Sequence, residues 1–384
     1  MTFTNQTSKE IWKDRYQKNN ETLEGNIERV ARHCATNEED YVAFSQLMSD
    51  GLFFPAGRTM SNAGIGRTLT LNNCYVSPMI KDDMTDIFNK VKLGALTHKA
   101  GGGIGYSFSQ LRPNGTPTSN DAIASGAISF MDVFNAQTAT IMQGSRRGAN
   151  MAVMSVYSMD IEEFITAKSK DPSRLQHFNI SVMVDDDFMK AKDNNQDIWL
   201  HYPVYDEDGN ILKNQSEWTY KKSVNAKSLW DLIIKEAYNT GEPGIFFQDT
   251  MNRDNNLWYI ENIVATNPCA EYLAGTVYGN HPTTGQRLNP DEYGGACNLG
   301  SLFLHNFVDK PFTNSAQTDY GKLENAIYSA VRMLDNIIDI NHYPDEIYKN
   351  YQHSFRVIGL GITGLADMLC MLGLRYNSQQ ARLF

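Results

Sequence analysis

The segment Asn267-Pro268-Cys269-Ala270-Glu271 carries residue types that could perform thiol chemistry. Pro268 cannot continue a helix and favours an extended conformation for the residue before it, so Cys269 is expected on a loop or strand end. In an extended run, residues two apart face the same side, which would group Asn267, Cys269 and Glu271. A neighbouring carboxylate raises the pKa of a thiol, which disfavours an ordinary thiolate nucleophile. The pattern suits a hydrogen-atom-donating thiol with a carboxylate base and an orienting amide, and a buried cysteine in a turn is the alternative.

Two further cysteines, Cys74 and Cys297, each lie in a short strand-like run. Glycines flank Cys297 and would permit close backbone approach. Spacing alone does not bring the two cysteines together, and each fits a small buried hydrophobic residue as well as a redox group. The chain has five cysteines and no CxxC pair, so neither a disulfide framework nor a structural zinc site is expected.

Two glycine-rich runs have different interpretations. Residues 100–105 follow a helical stretch and precede a strand-like one, the reverse of the order in a nucleotide fingerprint, so they are expected to end a helix. Residues 359–364 match GxGxxG between a strand-like pair and a helix. A dinucleotide-binding unit needs an acidic residue about 20 positions further on, and none follows Asp367. A helix packed closely on a strand is therefore the preferred interpretation.

The run from Gln143 to Met151 places Arg146 and Arg147 between glycines in a stretch with little apolar content. Such a loop can close guanidinium groups on a phosphate or on the edge of a base. A solvated turn explains the same pattern equally well.

The elements that must position these residues alternate between helix and strand from Phe53 onward, which predicts an α/β fold. Residues 227–238 and 322–340 carry apolar side chains on one helical face. A Pro-Gly pair separates the first of these helices from the strand-like residues 245–247. Residues 198–204 are expected to form a strand that runs into a hairpin turn.

The organisation of the chain is expected to be simple. Residues 1–50 are interpreted as an N-terminal helical region and residues 51–384 as one larger domain, because no convincing linker separates them. No apolar run reaches the roughly 18 residues of a membrane span and the start carries no secretory signal, so a cytoplasmic protein is expected. The net charge of −10 argues against binding a nucleic acid polymer through a general basic surface.

In chain order these segments resemble the ribonucleotide reductases, and the likeness runs from about Phe54 to about Asn377. Residues 55–64 resemble the strand region that binds the phosphates of the substrate, and Cys74 follows at the family's distance as the first redox cysteine. Cys297 matches the second redox cysteine. The residues that the resemblance places against the substrate are Thr59, Ser61, Asn62, Gly102, Gly103 and Arg147.

The resemblance also implies an allosteric site for dNTP and ATP effectors. Asp82 resembles the acidic residue that starts the effector-binding helix, and Arg112 resembles the effector-phosphate arginine of the first specificity loop. Residues 143–151 resemble the second specificity loop, which relays effector identity to the substrate base. Within that loop Gln143 is expected on the effector side and Arg147 is expected to contact the substrate.

The resemblance implies reduction of a ribonucleotide, of the ribonucleoside-diphosphate reductase type, by radical chemistry. A thiyl radical on Cys269 abstracts the 3′ hydrogen, Glu271 takes the 3′-hydroxyl proton, and Asn267 holds the hydroxyls. The 2′-hydroxyl leaves as water, and Cys74 and Cys297 end as a disulfide. The sequence leaves the choice between diphosphate and triphosphate substrates open.

The implied fold is a ten-stranded α/β barrel of the ribonucleotide reductase and glycyl radical type, with Cys269 on a loop inside it. Pro268 and the run 143–151 resemble the adenosylcobalamin-dependent class more than the class that is fed by a ferritin-like metal subunit. Adenosylcobalamin is therefore the expected cofactor, with a metal-bearing subunit as the alternative and no metal ligands in this chain. The implied partners are a ribonucleotide substrate, a second copy in a homodimer and an external dithiol reductant such as thioredoxin or glutaredoxin.

The chain departs from the family pattern in its length. After Asp367 the family continues with further strands, a phosphate loop and a reducing cysteine pair, so residues 51–384 are expected to form an incomplete barrel. A separate C-terminal half is therefore an expected partner, as in a split or interrupted gene. An open barrel edge favours poor solubility or obligate partnering, and the chain alone is expected to be inactive.

Two rival functions stay open at this point. A dinucleotide-dependent oxidoreductase would use Gly359, Gly361 and Gly364 and would tolerate replacement of Cys269. A non-catalytic nucleotide-binding fragment would bind effector at Arg112 without turnover.

Overall fold

Helices and strands alternate along most of the chain. The computed structural model describes residues 5–66, 68–119, 121–143 and 146–384, without the side chains of residues 142, 143, 146 and 147. Its helices are α1 (Gln6–Arg15), α2 (Leu23–Cys34), α3 (Glu38–Ser49), α4 (Gly57–Asn62), α5 (Met84–Ala100), α6 (Ala127–Thr140), α7 (Ile161–Lys170), α8 (Asp186–Asp193), α9 (Ala226–Thr240), α10 (Gln248–Arg253), α11 (Tyr320–Ile340), α12 (Glu346–Phe355), α13 (Leu365–Met371) and α14 (Gln379–Leu383). The α/β class predicted from the sequence is confirmed.

The strands follow the same alternation from Phe53 onward. They are β1 (Phe53–Pro55), β2 (Cys74–Val76), β3 (Gly103–Ser107), β4 (Met142–Gln143), β5 (Arg146–Arg147), β6 (Asn150–Ser155), β7 (Phe178–Val184), β8 (Asp197–Tyr202), β9 (Tyr220–Asn225), β10 (Gly244–Phe247), β11 (Glu261–Thr266), β12 (Leu273–Val277), β13 (Gly295–Phe303), β14 (Val308–Asp309), β15 (Gln317–Thr318) and β16 (Ile358–Thr363).

The chain divides into two compact units, and the first comprises Met1–Asn73, Cys297–His342 and Phe355–Phe384. Side-chain oxygens of Asn5, Thr22 and Asn37 cap the N-termini of α1, α2 and α3, which satisfies backbone amides that a helix start leaves unpaired. In the same unit β1 pairs antiparallel with β13, and β16 pairs parallel with it. The apolar faces of α2, α3 and α11 form the core of this unit.

The second unit comprises Cys74–Ala296 and Tyr343–Ser354. Five of its strands pair in parallel in the order β2, β3, β6, β7 and β10. Helices connect successive strands and cover the sheet, which explains why β6 is buried along its whole length. The core of the unit lies between this sheet and helices α5 to α9. The same unit holds the antiparallel hairpin of β11 and β12.

Most local predictions from the sequence are confirmed. The predicted helices at 227–238 and 322–340 are α9 and α11, and the predicted strand at 245–247 is β10. Residues 100–105 end α5 and begin β3, and Gly101 adopts the left-handed conformation with φ of 99° that helix ends favour.

The strand predicted at 198–204 is β8, and the turn that follows it closes an antiparallel bridge between Tyr205 and Ile211. The pairing partner of β8 is the later strand β9. Gly359 and Gly361 lie inside β16 rather than in a strand-to-helix turn. A dinucleotide fingerprint needs its glycines in that turn, so the structure does not support the dinucleotide-dependent rival.

Across the part of the chain that the structure describes, none of the helices combines the length and the apolar composition that crossing a membrane requires.

Candidate active site

Cys269 lies on the loop that joins β11 to β12. The loop is closed by backbone hydrogen bonds, because Asn267 N donates to Tyr272 O at 3.0 Å and Ala270 N donates to Asn267 O at 3.1 Å. Ala270 has a φ of 69°, an uncommon conformation for a residue other than glycine. The predicted loop position of Cys269 is confirmed. The predicted extended alternation through residues 267–271 is wrong, because the chain turns back on itself at Ala270.

The turn brings the predicted amide and carboxylate together. Asn267 Nδ2 donates to Glu271 Oε2 at 2.6 Å, while Asn267 Oδ1 accepts from Tyr272 N at 2.9 Å. Asn267 is fully buried and Cys269 is exposed. The loop therefore fixes the amide and carboxylate while leaving the thiol reachable.

Cys74, the first residue of β2, completes the cluster. Its buried thiol donates to Glu271 Oε1 at 3.3 Å, so both carboxylate oxygens of Glu271 accept a hydrogen bond within the site. Cys74 also hydrogen-bonds to the Cys269 thiol. Four residues predicted from the sequence, Cys74, Asn267, Cys269 and Glu271, are thus brought together by contacts within one unit.

The two thiols have opposite pKa shifts. The hydrogen bond from Cys74 lowers the pKa of Cys269 to about 7, although burial and the Glu271 charge act to raise it. The pKa of Cys74 lies far above its usual value, because Cys74 donates that hydrogen bond, is buried and faces the Glu271 charge. The predicted effect of the carboxylate has the expected direction, because the Glu271 charge acts to raise the pKa of Cys269, but the hydrogen bond from Cys74 outweighs it. Cys74 is the thiol that keeps its proton. A reachable thiol of lowered pKa beside a protonated thiol and an anchored carboxylate can exchange hydrogen atoms and protons with a bound molecule.

Glycines of β3 allow the cysteine loop to lie close to the sheet. A Cβ atom placed on Gly105 would lie 1.6 Å from the Thr266 carbonyl oxygen, and one on Gly103 would lie 2.9 Å from Pro268 Cγ. A Cβ on Gly102 would lie 2.5 Å from the Tyr75 ring. The predicted substrate glycines Gly102 and Gly103 are therefore required by packing within the unit, and a substrate contact stays a prediction.

Sequence reasoning missed Asn179. Its side-chain Nδ2 donates to the Pro268 carbonyl oxygen at 2.8 Å and so reaches the residue before Cys269. The available signal in the sequence was a polar residue in the largely apolar strand β7.

The remaining predicted catalytic and phosphate-binding residues lie in the first unit. Cys297 is buried, and its Sγ donates to the Asn298 carbonyl oxygen at 3.2 Å. Thr59 Oγ1 donates to Leu71 O at 3.1 Å, and Asn62 Nδ2 donates to Thr70 O at 2.8 Å. Ser61 Oγ donates to Asn62 Oδ1 at 2.7 Å. Their proposed roles stay predictions.

The two predicted effector residues contact each other. Arg112 Nε donates to Asp82 Oδ2 at 3.0 Å, and Arg112 N donates to Asp82 Oδ1 at 2.9 Å. Tyr202, which sequence reasoning missed, donates its hydroxyl to Asp82 Oδ2 at 3.0 Å, and burial together with the Asp82 charge raises the pKa of Tyr202 to about 12. The side chains of Gln143 and Arg147 lie outside the described residues.

The fold and the site together indicate the class of this protein. It is a thiol-dependent α/β protein, with its cysteine on a strand-end loop beside a second thiol and a carboxylate. Comparison with known families makes this more specific. The ribonucleotide reductase barrel domain matches residues 72–384, and the ribonucleotide reductase all-alpha domain matches residues 2–68. The chain belongs to the ribonucleotide reductase family, and the predicted barrel-type fold is confirmed at this level.

Individual relatives agree with this family. The chain is 37% identical over 372 residues to a vitamin B12-dependent ribonucleoside-diphosphate reductase of Thermoplasma acidophilum, covering 95% of this chain and 44% of the relative. It is 36% identical to a protein of the same name from Mycobacterium tuberculosis, covering 92% of this chain and 48% of the relative. It is 30% identical to the ribonucleoside-diphosphate reductase large chain of Neurospora crassa, covering 87% of this chain and 36% of the relative. The chain thus spans less than half the length of these curated relatives.

Proposed function

We propose that this chain carries the thiol site of a ribonucleotide reductase that converts ribonucleotides, of the ribonucleoside-diphosphate type, to 2′-deoxyribonucleotides. The observation that supports this most is the contact set of Cys74, Asn267 and Glu271 around the reachable Cys269. A thiol, a second thiol, a carboxylate and an amide are the groups that radical removal of a ribose hydroxyl needs.

Each side chain has a proposed role. As a thiyl radical, Cys269 takes the 3′ hydrogen of the ribose and later returns a hydrogen atom to the same carbon. Glu271 accepts the 3′-hydroxyl proton, and Asn267 holds both the carboxylate and the hydroxyls. Cys74 already keeps its proton at neutral pH because its pKa is strongly raised, so it can protonate the leaving 2′-hydroxyl. Cys74 and Cys297 supply the two electrons and end as a disulfide, which an external dithiol such as thioredoxin or glutaredoxin reduces.

Adenosylcobalamin is the proposed radical source. The Thermoplasma and Mycobacterium relatives carry the name vitamin B12-dependent. Among the predicted catalytic cysteines Cys269 is exposed whereas Cys74 and Cys297 are buried, so the residues present fit a bulky group that must approach this particular sulfur. When bound, adenosylcobalamin supplies a carbon radical by homolysis of its cobalt–carbon bond. Relatives named large chain or subunit alpha also match, and a separate ferritin-like metal subunit is therefore the alternative source.

Asp82 and Arg112 are the proposed centre of an effector site for dNTP or ATP. The two contacts from Asp82 hold the Arg112 side chain in one orientation, which favours recognition of a phosphate. A cavity of about 510 Å³ lies beside Asp82 and carries the further carboxylates Asp206, Glu207 and Asp291. Lys81 lines the same cavity and pairs with Asp291 at 2.5 Å, but the other carboxylates repel phosphate, so the triphosphate is expected on the Arg112 side.

A homodimer and a helical N-terminal region complete the proposal. Met84 and Phe88 stand four residues apart on α5 and are exposed, which supports a subunit contact along that helix. The helical region is placed at residues 1–50 and the barrel part from residue 51, supported by the end of α3 at Ser49 and the start of β1 at Phe53.

The proposed activity can be tested in a complemented assay. The chain is mixed with the segment of the Thermoplasma reductase that it does not cover, together with a ribonucleoside diphosphate, adenosylcobalamin and dithiothreitol, and deoxyribonucleotide is measured by chromatography. Product is expected from the unmodified chain and from Cys370→Ser, an exposed cysteine outside the site, and none from Cys269→Ser. Undiminished product from Cys269→Ser, or no product from the unmodified chain in this mixture or as a fusion, would refute the proposal.

A further inference from the structure

Side chains outside the loop that carries Cys269 hold it through hydrogen bonds on both sides of the cysteine. Cys74 donates to Glu271 Oε1 at 3.3 Å, and Asn179 donates to the Pro268 carbonyl oxygen at 2.8 Å. We infer that Asn179 is a positioning residue, which anchors Pro268 so that the Cys269 thiol faces Cys74. This inference rests on the proposed function for its biological meaning, but its geometry stands on described contacts within one unit.

The loop needs such support because its own hydrogen bonds leave part of it free. The internal bonds join Asn267 to Tyr272 and Ala270, so they close the loop without contacting the Pro268 carbonyl. Ala270 has a φ of 69°, and a residue in this conformation persists only when its surroundings hold it there. A loop with a strained residue beside the reacting cysteine would otherwise relax into several arrangements.

Strands β6 and β7 support both neighbours of Cys269. Asn179 on β7 stands opposite Met151 on β6 and binds the residue before the cysteine. Ala270, the residue after the cysteine, packs against the apolar cluster of Met151, Val153 and Met183 on the same two strands. The sheet therefore fixes the loop on each side of Cys269 with a different kind of contact.

The position of Asn179 in the strand agrees with this role. It is the one exposed residue in β7, whose other six residues are buried. An amide contributes little to the strand itself, because asparagine is disfavoured in strands. Its side chain instead forms a hydrogen bond to the cysteine loop, 89 residues further along the chain. This bond accounts for a polar side chain that strand formation does not require.

Loss of the Asn179 hydrogen bond is expected to change the chemistry of Cys269. The hydrogen bond from Cys74 lowers the pKa of Cys269 to about 7. This bond forms only while the two thiols stay next to each other. When the Pro268 carbonyl is released, the loop moves and that bond weakens. The pKa of Cys269 then rises toward the ordinary thiol value of about 8.5, because burial and the Glu271 charge continue to act.

The test measures the alkylation rate of Cys269 against pH. All variants are made in a Cys370→Ser background, which removes the other exposed cysteine, and iodoacetamide labelling of the Cys269 peptide is followed by mass spectrometry. The variants are Asn179→Ala and the similarly sized Asn179→Leu, which also fills the space of the amide. The matched control is Asn350→Ala, since Asn350 donates to the Glu292 carbonyl oxygen at 3.2 Å elsewhere in the same unit.

The expected result is an upward shift of the midpoint of the pH profile in both Asn179 variants and no shift in the control. In the complemented reductase assay the same variants should lower kcat and leave KM nearly unchanged, because Asn179 positions the thiol and not the substrate. An unchanged midpoint in whichever Asn179 variant folds, or an equal shift in Asn350→Ala, would overturn the inference. A shifted midpoint in a chain without reductase activity would support the positioning role while refuting the proposed function.

Discussion

Cys74 and Glu271 are 197 residues apart in the chain, yet the Cys74 thiol donates a hydrogen bond to Glu271 Oε1 at 3.3 Å. The other carboxylate oxygen of Glu271 accepts from Asn267. This contact ties the first residue of β2 to the β11–β12 loop, so the environment of Cys269 depends on both segments.

The first prediction concerns the thiol pair. In Cys74→Ala the strongest influence that lowers the pKa of Cys269 disappears, while burial and the Glu271 charge remain and raise it. The midpoint of Cys269 alkylation should then rise from about 7 to above the ordinary thiol value, which is about 8.5. Near neutral pH the alkylation rate should fall roughly three- to sixfold, because the loss of thiolate outweighs its greater nucleophilicity. The measurement is peptide mass spectrometry over a pH series.

The control for this prediction is Cys34→Ala. Cys34 is also a buried thiol, but it lies in α2 within the apolar core of the first unit and is not one of the predicted site residues. Its replacement should leave the alkylation midpoint of Cys269 in place. A Cys74→Ala profile that coincides with the unmodified one would show that the hydrogen bond between the thiols does not set the reactivity of Cys269.

The second prediction concerns the contact between β3 and the cysteine loop. A Cβ atom on Gly105 would lie 1.6 Å from the Thr266 carbonyl oxygen, which is backbone and cannot rotate away. Gly105→Ala is therefore expected to lower the free energy of unfolding by about 3 kcal/mol, at the upper end of the cost of overpacking. Urea unfolding followed by circular dichroism measures this difference.

Gly321→Ala serves as the comparison for Gly105. Gly321 lies in α11, and the nearest atom to an added Cβ is Asp319 Oδ1 at 3.6 Å, an ordinary contact. Because alanine also favours a helix over glycine, this substitution should cause no loss of stability. Equal unfolding curves for the two variants would contradict the close packing of β3 against the loop.

Short-range features of the site were predictable from the sequence, and long-range contacts were not. Pro268 and the spacing of Asn267 and Glu271 indicate a loop that gathers an amide and a carboxylate, because these residues are neighbours in the chain. That Cys74 and Glu271 belong to one site was expected only through the family resemblance, since spacing carries no information across 197 residues. Asn179 was missed because a single polar residue in a strand does not indicate which carbonyl it will bind.

The fold shows the same limit. Apolar periodicity predicted α9 and α11, because an amphipathic helix encodes its own buried face. The strand β8 and the turn after it were predicted but the partner of β8 was not, because a turn sequence at residues 206–210 indicates a reversal and not which later strand will pair. The left-handed conformation of Ala270 had no signal at all, because alanine does not favour it.

The third prediction concerns the proposed effector site. Arg112→Ala removes the guanidinium that Asp82 orients and leaves the Asp82 carboxylate without its cation. Hydrogen bonds between charged groups contribute about 1.5 to 3 kcal/mol, so dNTP binding should weaken roughly 10- to 100-fold. Isothermal titration calorimetry with each dNTP measures the change. Arg174→Ala is the matched control, because Arg174 forms a comparable ion pair with Asp132 at 2.7 Å. Unaltered dNTP affinity in Arg112→Ala would exclude the effector role.

The fourth prediction concerns acid stability and His98, a buried residue near the end of α5. Burial lowers the pKa of His98 to about 4, whereas in the unfolded chain a histidine titrates near 6.5. Between these values the unfolded state binds more protons than the folded state, so the unfolding free energy falls as pH falls through this window. The contribution is absent above about pH 6.5 and reaches about 2 to 3 kcal/mol of destabilisation near pH 4.5.

Replacement of His98 should therefore flatten the acid side of the stability profile. His98→Asn keeps a polar group for the contact with Gln137, which lies 3.2 Å from His98 Nδ1, but it removes the titrating ring. Urea unfolding at about pH 7.5 and about pH 4.5 should show a drop that is smaller by about 2 to 3 kcal/mol than in the unmodified chain. His353→Asn, at an exposed histidine, is the control. The same drop in His98→Asn as in the unmodified chain would mean that His98 becomes protonated without unfolding the structure around it.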